Sequence, residues 1–105
     1  MSSWNASSYR GSLSQQQLRK IAKTYLENAR NEEDPRIALV YCHHAEETLS
    51  QAKKAGKNAI NKTVVEGIIA TYVELGRLFE SHGQDRKAEA CMNEAMKLVR
   101  MYVLL

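Results

Sequence analysis

Four stretches of this chain repeat one pattern, in which apolar residues return at intervals of three and four. The first runs through Leu18, Ile21, Ala22, Tyr25, Leu26 and Ala29, and the second through Ala38, Tyr41, Cys42, Ala45, Leu49 and Ala52. The third runs through Val64, Ile68, Tyr72, Leu75 and Phe79, and the fourth through Ala88, Cys91, Met92, Ala95, Val99 and Tyr102. An α-helix gathers positions at this spacing onto one side, whereas a strand would send them to both faces. Five Gly and one Pro in 105 residues are too few for an all-β chain that must turn every ten residues or so. The reading is therefore all-α: one domain over residues 14–105, built of four antiparallel helices in two hairpins. The second and third helices are expected to be long.

Start and stop signals agree with the stripes. Residues 1–13 are Ser-rich, lack a period and read as a flexible tail, in which Trp4 and Tyr9 stand out. Ser14 and Gln17 fit a capping box, with Leu13 and Leu18 as its hydrophobic staple. Asp34 followed by Pro35 suits the N-cap and first position of the second helix, whose apolar face Ile37 and Val40 would widen. That helix should stop near Gly56, with Lys53 and Lys54 complementing the dipole of its last turn. The third helix starts between Asn58 and Thr63, where Thr63 and Glu66 fit a capping box. A second stripe, Val65, Ile69 and Val73, predicts burial of this helix on two sides. It should end at Ser81-His82-Gly83, with Gly83 in the left-handed conformation, and the fourth helix should be capped near Gln84-Asp85.

Charge and composition narrow the function. Residues 1–62 carry ten Lys/Arg against six Asp/Glu, and residues 63–105 carry five against six, so the net +3 sits in the first half. Lys53, Lys54, Lys57 and Lys62 cluster around the second turn. They support an alternative reading as a nucleic-acid-binding helical bundle, but few aromatics are interleaved with them, so nucleic acid is not the expected partner. No apolar run approaches the ~20 residues of a membrane span. Cys42 and Cys91 lie on apolar stripes in no metal or redox spacing, and a cytoplasmic setting is expected. Adjacent His43 and His44 point about 100° apart on a helix and cannot share one metal. His43 with Glu47 has ligand spacing but lacks a third ligand, and His82 reads as a helix-end residue. With no nucleophile beside a base and no phosphate-binding glycine loop, the chain reads as a non-enzyme without metal or cofactor.

The third and fourth helices resemble a tetratricopeptide repeat, at about residues 69–102. Tyr72, Leu75-Gly76, Phe79, Ala88, Met92 and Ala95 occupy that family's pattern positions, and Gly83 falls where the family turns. Gly76 and Ala88 would let two antiparallel helices cross closely, with Tyr72, Phe79 and Met92 filling the space around the crossing. Arg100 stands where a closing proline is common. Residues 15–55 resemble a degenerate repeat: Ala38 and Ala45 align with Ala88 and Ala95, Asp34-Pro35 with the turn, and Ala29 with Phe79. The alanine pairs lie fifty residues apart rather than the family's 34.

The resemblance implies a protein-interaction scaffold whose first helices line a peptide groove. Carried across, the groove positions are Lys20, Lys23, Glu27, Arg30 and Asn31 from the first helix. From the third they are Ala70, Val73, Arg77, Glu80 and Ser81. This face is net basic and should prefer an acidic or extended peptide, or a partner helix. Lys23 matches a lysine of the clamp by which chaperone-binding relatives hold a terminal carboxylate, but Glu27 replaces the clamp asparagine. The apolar Met101–Leu105 and the need of a repeat stack for capping imply self-association through Val99, Tyr102, Val103, Leu104 and Leu105, as a homodimer or within a larger protein.

Overall fold

A computed structural model describes residues 14–55 and 61–104 of the chain, without the side chains of Gln15 and Ala55. The Ser-rich segment 1–13, the staple residue Leu13, Gly56, Lys57, Asn58 and Leu105 lie outside the described residues. Helix α1 spans Gln15–Asn31, α2 Pro35–Ala55, α3 Lys62–Ser81 and α4 Asp85–Leu98. A π-helical turn, Val99–Val103, prolongs α4, closed by the Leu104 amide donating to the Val99 carbonyl five residues back, at 2.9 Å. The fold is all-α, with no strand among the described residues. As expected, α2 and α3 are the longest helices, at 21 and 20 residues.

The local chemistry accounts for most of these boundaries. Ser14 and Gln17 form the reciprocal capping box, with the Gln17 amide donating to Ser14 Oγ at 3.1 Å and the Ser14 amide to Gln17 Oε1 at 2.7 Å. Asp34 starts α2: its carboxylate accepts from the Arg36 amide at 2.9 Å and its carbonyl from the Ala38 amide at 2.9 Å. Gly83 closes α3 at φ 76°, where an L side chain would be strained. The His82 Nδ1–H donates to the Leu78 carbonyl at 2.7 Å, which also accepts from the Ser81 hydroxyl at 2.8 Å and the His82 amide at 3.2 Å. The other two starts fall where expected, with different cap chemistry. Asn61, not Thr63, caps α3, its Oδ1 accepting from the Thr63 amide at 2.9 Å. Gln84 stands at the N-cap of α4 without a side-chain cap bond.

The chain packs as two hairpins, α1 against α2 and α3 against α4, with α3 touching both helices of the first pair. One continuous core joins them through Leu26, Ala45, Leu49, Ile68, Tyr72, Phe79, Cys91 and Leu98. Leu18 pairs with Ala52 beneath the start of α1. Ile37 and Val40, expected to widen the buried face of α2, are 45% and 52% exposed. They sit outside the sector that α1 and α3 cover. The second stripe of α3 is only half sealed: Val65 is buried, but Ile69 and Val73 are partly open. Met92 is 37% exposed, yet its Cε reaches the crossing, 3.5 Å from where a Cβ at Gly76 would stand.

The predicted close approach at Gly76 is joined by one at Gly67. A Cβ added at Gly76 would meet Ala88 O at 3.4 Å and Cys91 Cβ at 3.5 Å, ordinary contact. At Gly67 it would meet Leu26 Cδ2 at 2.6 Å and the Arg30 guanidinium at 3.1 Å. α3 and α4 thus cross closely at Gly76 and Ala88, as expected, while at Gly67 the side chains of Leu26 and Arg30 from α1 lie over the helix and leave no room for a methyl group.

Candidate interaction surfaces

The seam between α2 and α4 is polar. Tyr72, buried on α3, donates its hydroxyl to Glu46 Oε1 of α2 at 2.6 Å, and His43 Nδ1 lies 2.7 Å from the same phenol oxygen. Lys97 of α4 bridges Glu46 and Glu94, 3.0 Å from an oxygen of each. Burial raises the Glu46 pKa, but hydrogen bonds from Tyr72 and Lys97 outweigh it and hold the carboxyl below its ordinary value. Glu94 and then Glu46 push Lys97 up, and burial followed by the Glu46 hydrogen bond pushes Tyr72 up. Cys42 lies nearby with its thiol pushed up to about 12 by burial, then by Glu46. Above the network opens a cleft of about 320 Å³ between Leu39 and His43 on one side and Ala90 and Asn93 on the other. Its polar groups are largely spent on one another, and among the described residues no three His, Cys, Asp or Glu could hold a metal. His44 pairs instead with Glu47, at 3.4 Å.

The outer side of the second hairpin is apolar. Ile69 and Val73 of α3, with Met92, Ala95, Met96 and Val99 of α4, line a groove of about 490 Å³ that ends at Arg100 and Leu104. Met92 also borders a second hollow of about 330 Å³, toward the α3–α4 turn, with Glu80, Asp85 and Glu89 around it. Met96 is 57% and Leu104 71% exposed. Of the residues assigned to self-association, Val99 and Leu104 belong to this groove, and Val103 is exposed beside it. Tyr102 does not line it. The π-helical turn adds a residue to the helical phase, and Tyr102 packs back against the core with Lys53 Nζ of α2 5.0 Å from its ring centroid. Lys53 of the basic cluster thereby contacts Tyr102 while remaining exposed, as Lys54 and Lys62 are.

Apart from the half-buried Val73, the residues assigned to a peptide groove are exposed, and they are spread along the two helices on both sides of the α1–α3 crossing. Leu18 beside Ala52 and Tyr25 beside His44, 5.1 Å between rings, make α1 antiparallel to α2. Glu46 to Lys97 and Lys53 to Tyr102 make α2 and α4 run in the same direction. Hence α1 and α3 also run in the same direction, and they meet where Leu26 and Arg30 cover Gly67. Lys20 and Lys23 precede this crossing, whereas Arg77 and Glu80 follow it by ten or more residues, ~15 Å of helix. Arg30 is the groove residue that spans the two helices. Lys23, Glu27 and Asn31 stay on the exposed face of α1, and Lys20 lines a hollow there with Ile21, Thr24 and Tyr25. Ala70 and Ser81 are exposed on α3, and Val73 belongs to the apolar edge.

Sequence reasoning missed the Glu46–Lys97 bridge and the role of Gly67. The fifty-residue alignment carried a signal for the first, since it sets Glu46 one residue from the equivalent of Lys97. A mid-helix glycine in an apolar stretch was the signal for the second. Among the described residues no helix is long and apolar enough to cross a membrane. Comparison with protein-family models, curated proteins and solved structures finds no match to this chain.

Proposed function

We propose that the chain is a protein-interaction module of the tetratricopeptide kind: two stacked hairpins whose open side takes a partner helix. The observation that carries this reading is the apolar groove along α3 and α4, with Met92, Met96 and Leu104 exposed on it. Exposed apolar patches of this kind mark contact surfaces, and methionine adapts to varied partners. The exposed Lys20, Lys23 and Arg30 on α1 support a second, weaker contact with acidic peptides. Two buried free thiols, Cys42 and Cys91, support a cytoplasmic setting.

The test is an NMR titration of the full chain, reading methionine methyl groups and backbone amides. The chain is diluted alone, then titrated with an amphipathic helical peptide and with an acidic peptide. Occupation of the edge should move the Met92 and Met96 methyls, and the acidic peptide should move amides around Lys20–Arg30 in a salt-dependent way. Methyls and amides that stay fixed under all three conditions would overturn the reading.

A further inference from the structure

We infer that the occupant of the α3–α4 edge is the same edge of a second copy, with the two α4 helices antiparallel across a two-fold axis. The inference rests on the proposed open edge and adds the identity and register of what covers it. Fifty residues earlier, at the equivalent positions of α2, Cys42, Ala45 and Leu49 are buried in the core. On α4 the counterparts are Met92, Ala95 and Val99, and they form the groove.

Charge fixes the direction. Glu80, Asp85 and Glu89 line the hollow that adjoins the groove at Met92, toward the α3–α4 turn, and Arg100 stands at the groove's other end. Glu89 and Arg100 are eleven residues apart, ~16 Å along a helix, and cannot meet within one chain. Among the described residues neither has an ion-pair partner. Met92 and Met96 are centred on Glu94, and Glu89 and Arg100 on the Glu94–Ala95 bond, half a residue or ~0.8 Å further along the helix. A two-fold axis there sets Met92 against Met96 of the second copy and Glu89 against Arg100 of the second copy, at once and twice over. Ala95, small and at the floor of the groove, lets the helices approach. A parallel partner would instead set Glu89 beside Glu89 and Arg100 beside Arg100.

The experiment is sedimentation equilibrium on the full chain and on Met96→Glu, Glu89→Arg, Arg100→Glu and the double charge swap, with circular dichroism to confirm that each stays helical. These side chains are exposed, so folding should be unaffected. The wild type should dimerise and Met96→Glu should be monomeric. Each single charge reversal should weaken the dimer about tenfold, through two lost rim pairs. The double swap should restore it, and the two single variants, mixed, should prefer each other. A wild type that stays monomeric at its highest attainable concentration would overturn the second copy as occupant, leaving the Met92 and Met96 response to a helical peptide to judge the edge itself. Self-association indifferent to Met96→Glu would place it elsewhere, and no rescue by the double swap would refute the antiparallel register.

Discussion

Tyr72 Oη lies 2.6 Å from Glu46 Oε1 and 2.7 Å from His43 Nδ1, across the boundary between the two hairpins. A hydroxyl has one hydrogen, and an ionised carboxylate can only accept. Tyr72 therefore gives its hydrogen to Glu46, and His43 must donate from Nδ1. One buried phenol thus joins α2 to α3, and through Glu46 and Lys97 to α4.

The first expectation concerns that tautomer. Neutral His43 should carry its hydrogen on Nδ1, against the usual Nε2 preference, as read from imidazole nitrogen shifts. Tyr72→Phe should remove the bias and destabilise the fold by about 1–3 kcal/mol in urea unfolding, because Glu46 loses a buried donor. An Nε2–H His43 in the wild type would contradict the donor assignment.

Acid stability should depend on the same network. The folded Glu46 pKa is depressed, so its contribution is fully present above the unfolded value of about 4.3 and is lost as pH falls through the lower folded value. Stability of the wild type should therefore fall in that acid range more steeply than that of Lys97→Met or Tyr72→Phe. Parallel pH profiles for all three would mean that Glu46 is not held ionised by these partners.

Two mid-helix glycines should respond oppositely to alanine. Gly67→Ala forces its Cβ against Leu26 and Arg30 and should cost about 1–3 kcal/mol despite the better helix propensity. Gly76→Ala meets only ordinary contacts and should be neutral or stabilising by up to about 1 kcal/mol. Thermal unfolding of the two variants decides this, and an equal loss at both sites would contradict the crossing geometry.

The start of α3 offers a sharper comparison. Asn61→Ala removes the cap and should cost about 1 kcal/mol, whereas Thr63→Ala, two residues inside the helix, should cost little. A larger loss at Thr63 would restore the capping-box reading.

Thiol chemistry should report global unfolding. Cys42 and Cys91 are 0% and 1% exposed, and burial raises both thiols. An aromatic disulfide reagent at neutral pH should label neither until denaturant is added. Immediate reaction of either would show that the core opens at little cost.

Much of the fold is legible in the sequence because helix formation is local. The spacing of the apolar stripes, the Ser14–Gln17 box, Asp34-Pro35 and Gly83 each act within one or two turns, so they locate four helices and two tight turns without knowledge of packing. The same locality explains the error at the third helix, where Asn61 and Thr63 are both acceptable caps and only the path of the chain selects one. Which apolar residues stay uncovered is not a local property. Ile37, Val40, Met92 and Met96 have helical spacing like their buried neighbours, and their exposure follows from where the second hairpin lies on the first. Nor could the sequence place Tyr102, whose direction is set by a five-residue helical turn, or gather Lys20 and Arg77, which the α1–α3 crossing keeps apart. The sequence determined the helices and their pairing into hairpins, through spacing and end chemistry that act over a few residues. The tertiary structure alone decided the polar seam, the need for Gly67 and the open apolar edge, because each depends on contacts between helices distant in the chain.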